Sequence, residues 1–154
     1  MANEILTAGI AVKYVAEATA GTRPTSGYVT IPNVKVSPAI SGDPETVDVT
    51  DLSDVIWRRY INGLKDPGGA VPLTVNLTAA FLTAWETLRD AYATAKAAGK
   101  AIWFEIYIPN IKSFYFKGEP VELGVDEQNV GEVAEQTAYI VVNGVEGWDT
   151  SSST

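Results

Sequence analysis

The chain has 154 residues, 46% hydrophobic and 19% charged, a composition that builds a core rather than staying disordered. It contains neither cysteine nor histidine, which excludes disulfides, thiolate metal sites and cysteine nucleophiles and removes the commonest metal ligand and general base. The net charge of −8 equals the eight acids that follow Lys117 (Glu119, Glu122, Asp126, Glu127, Glu132, Glu135, Glu146 and Asp149), a stretch with no lysine or arginine; capture of nucleic acid through its phosphates, which needs basic side chains, is disfavoured.

Such a surface serves solubility or repels polyanions. No apolar run reaches the roughly 18 residues that span a bilayer, and the acid in the opening MANEILTAGIAV does not suit a signal peptide. The expectation is one domain over residues 1–154, without membrane insertion, with a flexible N-terminal few residues and a flexible tail over about 147–154.

Strands dominate. Ile10, Val12 and Tyr14 alternate with Ala11, Lys13 and Val15 in a first strand ending near Ala18, and TAGTRPTSG (19–27) is a turn-rich connector. A second strand runs from Tyr28 to Val36, and its apolar phase switches at Pro32-Asn33, the sign of a bulge or edge. Ser41 to Pro44 is a turn, and Glu45 to Val49 a short strand. Further on, Val71, Leu73, Val75 and Leu77 alternate with Pro72, Thr74 and Asn76, a half-buried strand.

Between these strands, Asp48 to Gly69 shows neither strand alternation nor a helical stripe. Structureless stretches of about 20 residues are uncommon inside compact domains and tend to be functional. Residues Asp54, Val55, Ile56, Trp57, Arg58, Arg59, Tyr60, Ile61 and Leu64 make this loop, about 50–69, too apolar for water. Its apolar side chains must be buried, on their own domain or on a neighbouring subunit.

One helix is expected over about 78–98. Thr78 is its N-cap, Phe81, Trp85, Leu88 and Tyr92 form one apolar stripe, and Gly99 is its stop. The opposite face, Thr83, Glu86, Asp90 and Thr94, should see water, so the helix packs on a sheet from outside. Ile102, Phe104, Ile106 and Ile108 then alternate with Trp103, Glu105 and Tyr107. Phe114 and Phe116 return as the second arm of a hairpin. Val121, Leu123 and Val125 suggest another strand, and Val133 to Val142 a long last one. Several strands pair an aliphatic face with a mixed polar and aromatic one, as antiparallel sheets with a solvated or oligomer-facing side do.

Candidate chemistry is sparse. Asp48, Asp51 and Asp54 lack the alternate-position ligands, central glycine and distant glutamate of a calcium loop, and suit turns and caps instead. Glu105, Glu119, Glu122 and Glu132 offer carboxylates, but nothing in the sequence places two of them across a cleft. Trp57, Trp103, Tyr107 and Tyr115 are either a sugar-stacking platform or core and interface aromatics. Arg58-Arg59 suits salt bridges to acids of the same or a neighbouring chain. No catalytic, metal or cofactor-binding residue is assigned, and an enzyme is not expected.

The order of these features resembles the major tail tube protein of long-tailed, non-contractile (siphovirus-type) bacteriophages. The resemblance spans roughly Gly9 to Val142, and WRRYINGLKDPGG (57–69), VPLTVNL, the single helix, IWFEIYIP, FYFKGEPVELG and the long last strand carry it. It implies a mostly β fold, an antiparallel β-sandwich or partial barrel with one flanking helix. It also implies hexameric rings stacked into a tube, the virion's tail channel, assembled in the host bacterial cytoplasm. The implied partners are further copies, the tape-measure protein, the tail terminator and distal tail proteins, with DNA passing transiently. The long loop would reach adjacent subunits or rings, and Glu105, Glu122, Asp126, Glu132 and Glu135 are candidate channel-wall acids. No C-terminal immunoglobulin-like domain is expected. The alternatives are a carbohydrate- or ligand-binding β-sandwich module, and the tube protein of a contractile tail or secretion system.

Overall fold

The structure, a computed structural model, describes residues 9–40, 43–66 and 69–152; for 43–45 and 62–66 the backbone alone is described. The expectations for the N-terminal few residues, for Ser41-Gly42, for Gly68 and for the last two residues lie outside it.

The alternation of Val12 and Tyr14 with Ala11 and Lys13 forms β1 (Ala11–Ala16). The expected second strand splits into β2 (Val29–Thr30) and β3 (Val34–Val36), because Asn33 adopts a left-handed φ of 62° after Pro32. Strands β4 (Asp43–Asp48) and β5 (Tyr60–Asp66) pair only with each other. β6 (Ala70–Asn76) follows, and then helix α1 (Ala79–Ala97). β7 (Ile102–Tyr107), β8 (Ser113–Pro120) and β9 (Glu135–Asp149) complete the chain.

Seven strands form one antiparallel sheet in the order β2-β1-β7-β8-β9-β6-β3, curled into a half-barrel. Both edge strands are very short, and the Val29–Val36 segment ties the two edges together: Ile31 N donates to Val12 O, and Asn76 N to Asn33 O, each at 2.9 Å. Short, bridged edges leave little unpaired backbone to template aggregation. Of the expected forms, the partial barrel with one helix is the one observed.

The helix closes the concave side. Thr78 Oγ1 accepts from Phe81 N at 3.1 Å, and Gly99 takes φ 73° to end the helix. Phe81, Trp85, Leu88 and Ala95 are buried, while Thr83, Glu86, Asp90 and Thr94 face water as their spacing requires. In the core beneath, Phe104 and Phe116 stack with ring centres 5.3 Å apart. Gly118 lies so close that a Cβ there would meet Ile140 Cγ2 at 2.5 Å.

Three expectations change. The long loop is shorter than its sequence suggests, because residues from Tyr60 onward pair with β4 (Asp48 opposite Tyr60, Val47 opposite Ile61) and leave 49–59 as the connection. The described strand residues of the hairpin, 46–48 and 60–61, are all exposed, so no alternation of buried and open positions is imposed on them. Val121, Leu123 and Val125 do not form a strand; 121–134 is irregular, and β9 starts at Glu135 and runs 15 residues. Finally, the mixed face of β7 and β8 is not left for water or a neighbour. The 17–28 connector and the chain's own C-terminal segment cover it, so Trp103, Glu105, Ser113 and Tyr115 are all buried.

Candidate assembly surface

The β4–β5 hairpin is an arm that joins no strand of the main sheet. Its base is ordered by local polar contacts: Val49 N donates to Arg59 O at 2.9 Å, Arg59 N to Thr50 Oγ1 at 2.8 Å, and Thr50 N to Asp48 Oδ1 at 2.9 Å. Asp51 and Asp48 serve as turn-formers, as their spacing indicated. Hydrogen bonds from Ser53 hold the Asp51 carboxyl below its usual range, and those from Thr50 do the same for Asp48.

Among the described side chains, the arm's charges pair with one another. Arg59 reaches Asp54 at 2.8 Å and Asp51 at 3.1 Å, and Arg58 lies 3.7 Å from Asp48. Its apolar side chains are not matched. Leu52 is 103% exposed, Val55 89%, Ile56 82% and Trp57 81%, while Tyr60 and Ile61 are half exposed. The side chain of Leu64 lies outside the described residues. Of the two burial possibilities left by the sequence, packing against the rest of the same chain is therefore not the one realised. The arm's tip is thus a contiguous apolar surface left open to water in the single chain.

A second uncovered surface is the irregular 121–134 segment, also longer than an ordinary connection. It is pinned rather than loose. Trp85 Nε1 donates to Val121 O at 2.9 Å, Asp126 N to Gln136 Oε1 at 3.1 Å, Thr137 N to Asp126 Oδ2 at 2.7 Å, and Gln128 Nε2 to Glu135 O at 2.8 Å. Val125, Val130 and Val133 nonetheless stand in water.

The acids assigned to a channel wall separate. Glu122, Asp126 and Glu132 are exposed, and Glu135 is partly exposed and salt-bridged to Lys35 at 2.7 Å. Glu105 is a correction: it has no exposed surface, so it lines nothing within this chain. Burial pushes its pKa up, but donors from Ser113, from the Ser152 backbone and hydroxyl, and from Tyr115 outweigh that and hold the carboxyl below its usual range. Ser152 N lies 3.0 Å and Ser152 Oγ 2.5 Å from its oxygens. The Tyr115 hydroxyl sits 2.6 Å from Thr150 O and 3.1 Å from Glu105, and burial with the adjacent carboxylate pushes its pKa up to about 12. Residues Thr150–Ser152 thereby hydrogen-bond to the barrel.

Arg23 completes this seam. Its guanidinium stacks 4.0 Å from the Tyr115 ring centre and bridges Glu146 at 2.5 Å and Asp149 at 2.6 Å. Glu17, also buried, accepts from Trp103 Nε1 and Ala101 N, both at 2.8 Å. Nothing in the sequence marks Glu17, Arg23 or Ser152, since their partners lie 84, 126 and 47 residues away. The sugar-stacking platform is not assembled either. Trp103 and Tyr115 are buried and Tyr107 is half-buried under Lys13, so Trp57 is the one freely exposed member of that set.

A curled seven-stranded half-barrel, one helix and a free β-arm define a fold found in chains of tail and baseplate particles. A chain of the anti-feeding prophage (AFP) baseplate, 6-fold symmetrised, superposes with a TM-score of 0.61 at 11% identity, over 96% of this chain and 97% of its own. A chain from the tail of the empty GTA particle, refined with C6 symmetry, gives 0.56 at 18% identity, over 93% and 96%. At such identities the fold is what is shared. No family model and no curated protein matches the sequence.

Proposed function

We propose that this chain is a structural protein of a phage-type tail, acting without chemistry. Six copies close into a ring, and rings stack into a tube around a tape-measure protein and later around passing DNA. The observation that carries this is the free arm, whose tip exposes Leu52, Val55, Ile56 and Trp57 while Arg59 is held by Asp51 and Asp54. Apolar surface of that kind is stable in water only when a partner covers it. The 6-fold and C6 assemblies whose chains share the fold support a ring of six. The net charge of −8 suits a conduit that must not hold phosphates.

Within this proposal the particle is a virion tail of the non-contractile type, assembled in the host bacterial cytoplasm, with the tail terminator and distal tail proteins at its ends. Negative-stain microscopy of purified protein at rising concentration tests it, and rings or tubes are expected. A protein that stays monomeric at every concentration, with tape-measure and tail-tip proteins added, refutes it.

A further inference from the structure

The chain carries two Asn-Gly pairs, Asn62–Gly63 and Asn143–Gly144, whereas Asn33, Asn76, Asn110 and Asn129 precede the branched residues Val34, Leu77, Ile111 and Val130. Asn62 is held opposite Thr46 in the β4–β5 ladder. Asn143 is held on neither side. Along β8 the register passes from Gly144 opposite Lys117 to Val142 opposite Gly118, so Asn143 is the extra residue of a bulge. Along β6 the pairing ends at Val141, opposite Ala70, with one further bond from Val142 N to Gly69 O at 2.9 Å. Asn143 is exposed, and its side chain forms no hydrogen bond among the described residues.

We propose that Asn143–Gly144 is a self-modification site, where the asparagine converts to aspartate and isoaspartate without an enzyme. The backbone nitrogen of Gly144, having given up its proton, attacks Asn143 Cγ. The new C–N bond closes a succinimide ring, the Cγ–Nδ2 bond breaks, and the side-chain nitrogen takes up the proton and leaves as ammonia. Water then opens the ring. Opening at one carbonyl gives aspartate; opening at the other gives isoaspartate, whose main chain is longer by a methylene. Glycine permits the attack because it has no Cβ to hinder the approach of its nitrogen. The reaction belongs to the single chain and does not depend on the polymer.

Two further features fit the chemistry. Lys117 Nζ lies 3.5 Å from where a Gly144 Cβ would stand, and Lys117 forms no salt bridge among the described residues. Its ammonium lies beside a site where negative charge builds, first on the amide nitrogen and then on the oxygen at Cγ. The second feature is the strand itself. β9 leaves β6 after Val141 but follows β8 to Asp149, and bulges at Asn143 and Glu146 bend it on the way. An unpaired residue can turn its carboxamide toward the next nitrogen, a motion that a laddered position resists. The product adds one negative charge to the net −8, beside the bond from Val142 to Gly69 where the arm's chain enters β6.

Peptide mapping by mass spectrometry tests the site. The unassembled native protein and the urea-unfolded chain are incubated side by side at neutral pH, and the amide-to-acid mass change is followed at each asparagine. Native Asn143 is expected to convert at a rate within about tenfold of its rate in urea, while Asn33, Asn76, Asn110 and Asn129 stay intact over the same period. Lys117→Met should slow the native reaction severalfold and leave the rate in urea unchanged, and Lys117→Arg should keep the native rate. A native rate at Asn143 more than tenfold below the rate in urea shows that the strand protects the residue, and overturns the proposal. Equal native rates in Lys117→Met and the parent protein overturn the part given to the ammonium.

Discussion

Truncating Trp57 to alanine separates assembly from folding. The side chain is 81% exposed in the single chain, and a tryptophan buries about 150–250 Å² when fully covered. Covering the exposed fraction removes roughly 120–200 Å² from water, worth at most about 3–5 kcal/mol at ~25 cal/mol per Å². Incomplete cover and the retained Cβ bring the expected loss to about 2–4 kcal/mol per contact, the range of interface hot spots. At 1.4 kcal/mol per decade, the concentration needed for polymerisation rises about 30- to 700-fold. Because Trp57 is largely exposed in the single chain, protomer stability should move by less than about 0.5 kcal/mol. Sedimentation velocity over a concentration series reads the first quantity and chemical denaturation of the protomer the second. A Trp57→Ala protein that polymerises at the original concentration, or that loses more than about 1 kcal/mol as a monomer, refutes the reasoning.

Glu105→Gln should destabilise the protomer by about 1.5–3 kcal/mol, since a charged acceptor serving several buried donors becomes a neutral amide with a donor of its own; an unchanged denaturation midpoint would show the seam to be dispensable. The same carboxyl sets an acid limit. Its folded pKa lies below the unfolded value, so its contribution is complete above about pH 4.3 and disappears as pH falls through the lower folded value. Hydrogen exchange at residues 149–152 should accelerate over that window in the native protein, and in Glu105→Gln should be fast already at neutral pH. Gly118→Ala should cost about 1–3 kcal/mol by overpacking, because the added carbon meets the branched Ile140 and the Val141 carbonyl, neither of which yields easily; a melting temperature equal to that of the parent protein would contradict it.

Much of the fold was legible because period and punctuation agree. The Phe81–Trp85–Leu88 stripe between Thr78 and Gly99 fixed the helix within a residue at each end, and the alternation in 71–77 and 102–107 located two central strands. The arm was legible as an anomaly, since residues such as Val55 and Trp57 have no reason to sit in a solvated loop. Its strand Tyr60–Asp66 was not, because Tyr60 and Ile61, like their partners Asp48 and Val47, are exposed and leave no periodic trace. Val121 to Val125 were misplaced for a related reason: Leu123 packs against the core between two exposed valines without a strand ladder. Glu105 was misjudged for a different reason. Position in an alternating strand tells which face a side chain occupies, but not that a connector bearing Arg23 and a tail bearing Ser152 return over 82 and 47 residues to cover that face. Contacts of that range depend on the folded path alone.

The most direct measurement is a cryo-EM map of the assembled polymer read at Trp57. If the arm is an assembly device, Val55, Ile56 and Trp57 lie against a second copy, and the indole loses most of the exposure it has in the single chain. A polymer in which Trp57 still stands in water, or is folded onto its own barrel, contradicts the central claim.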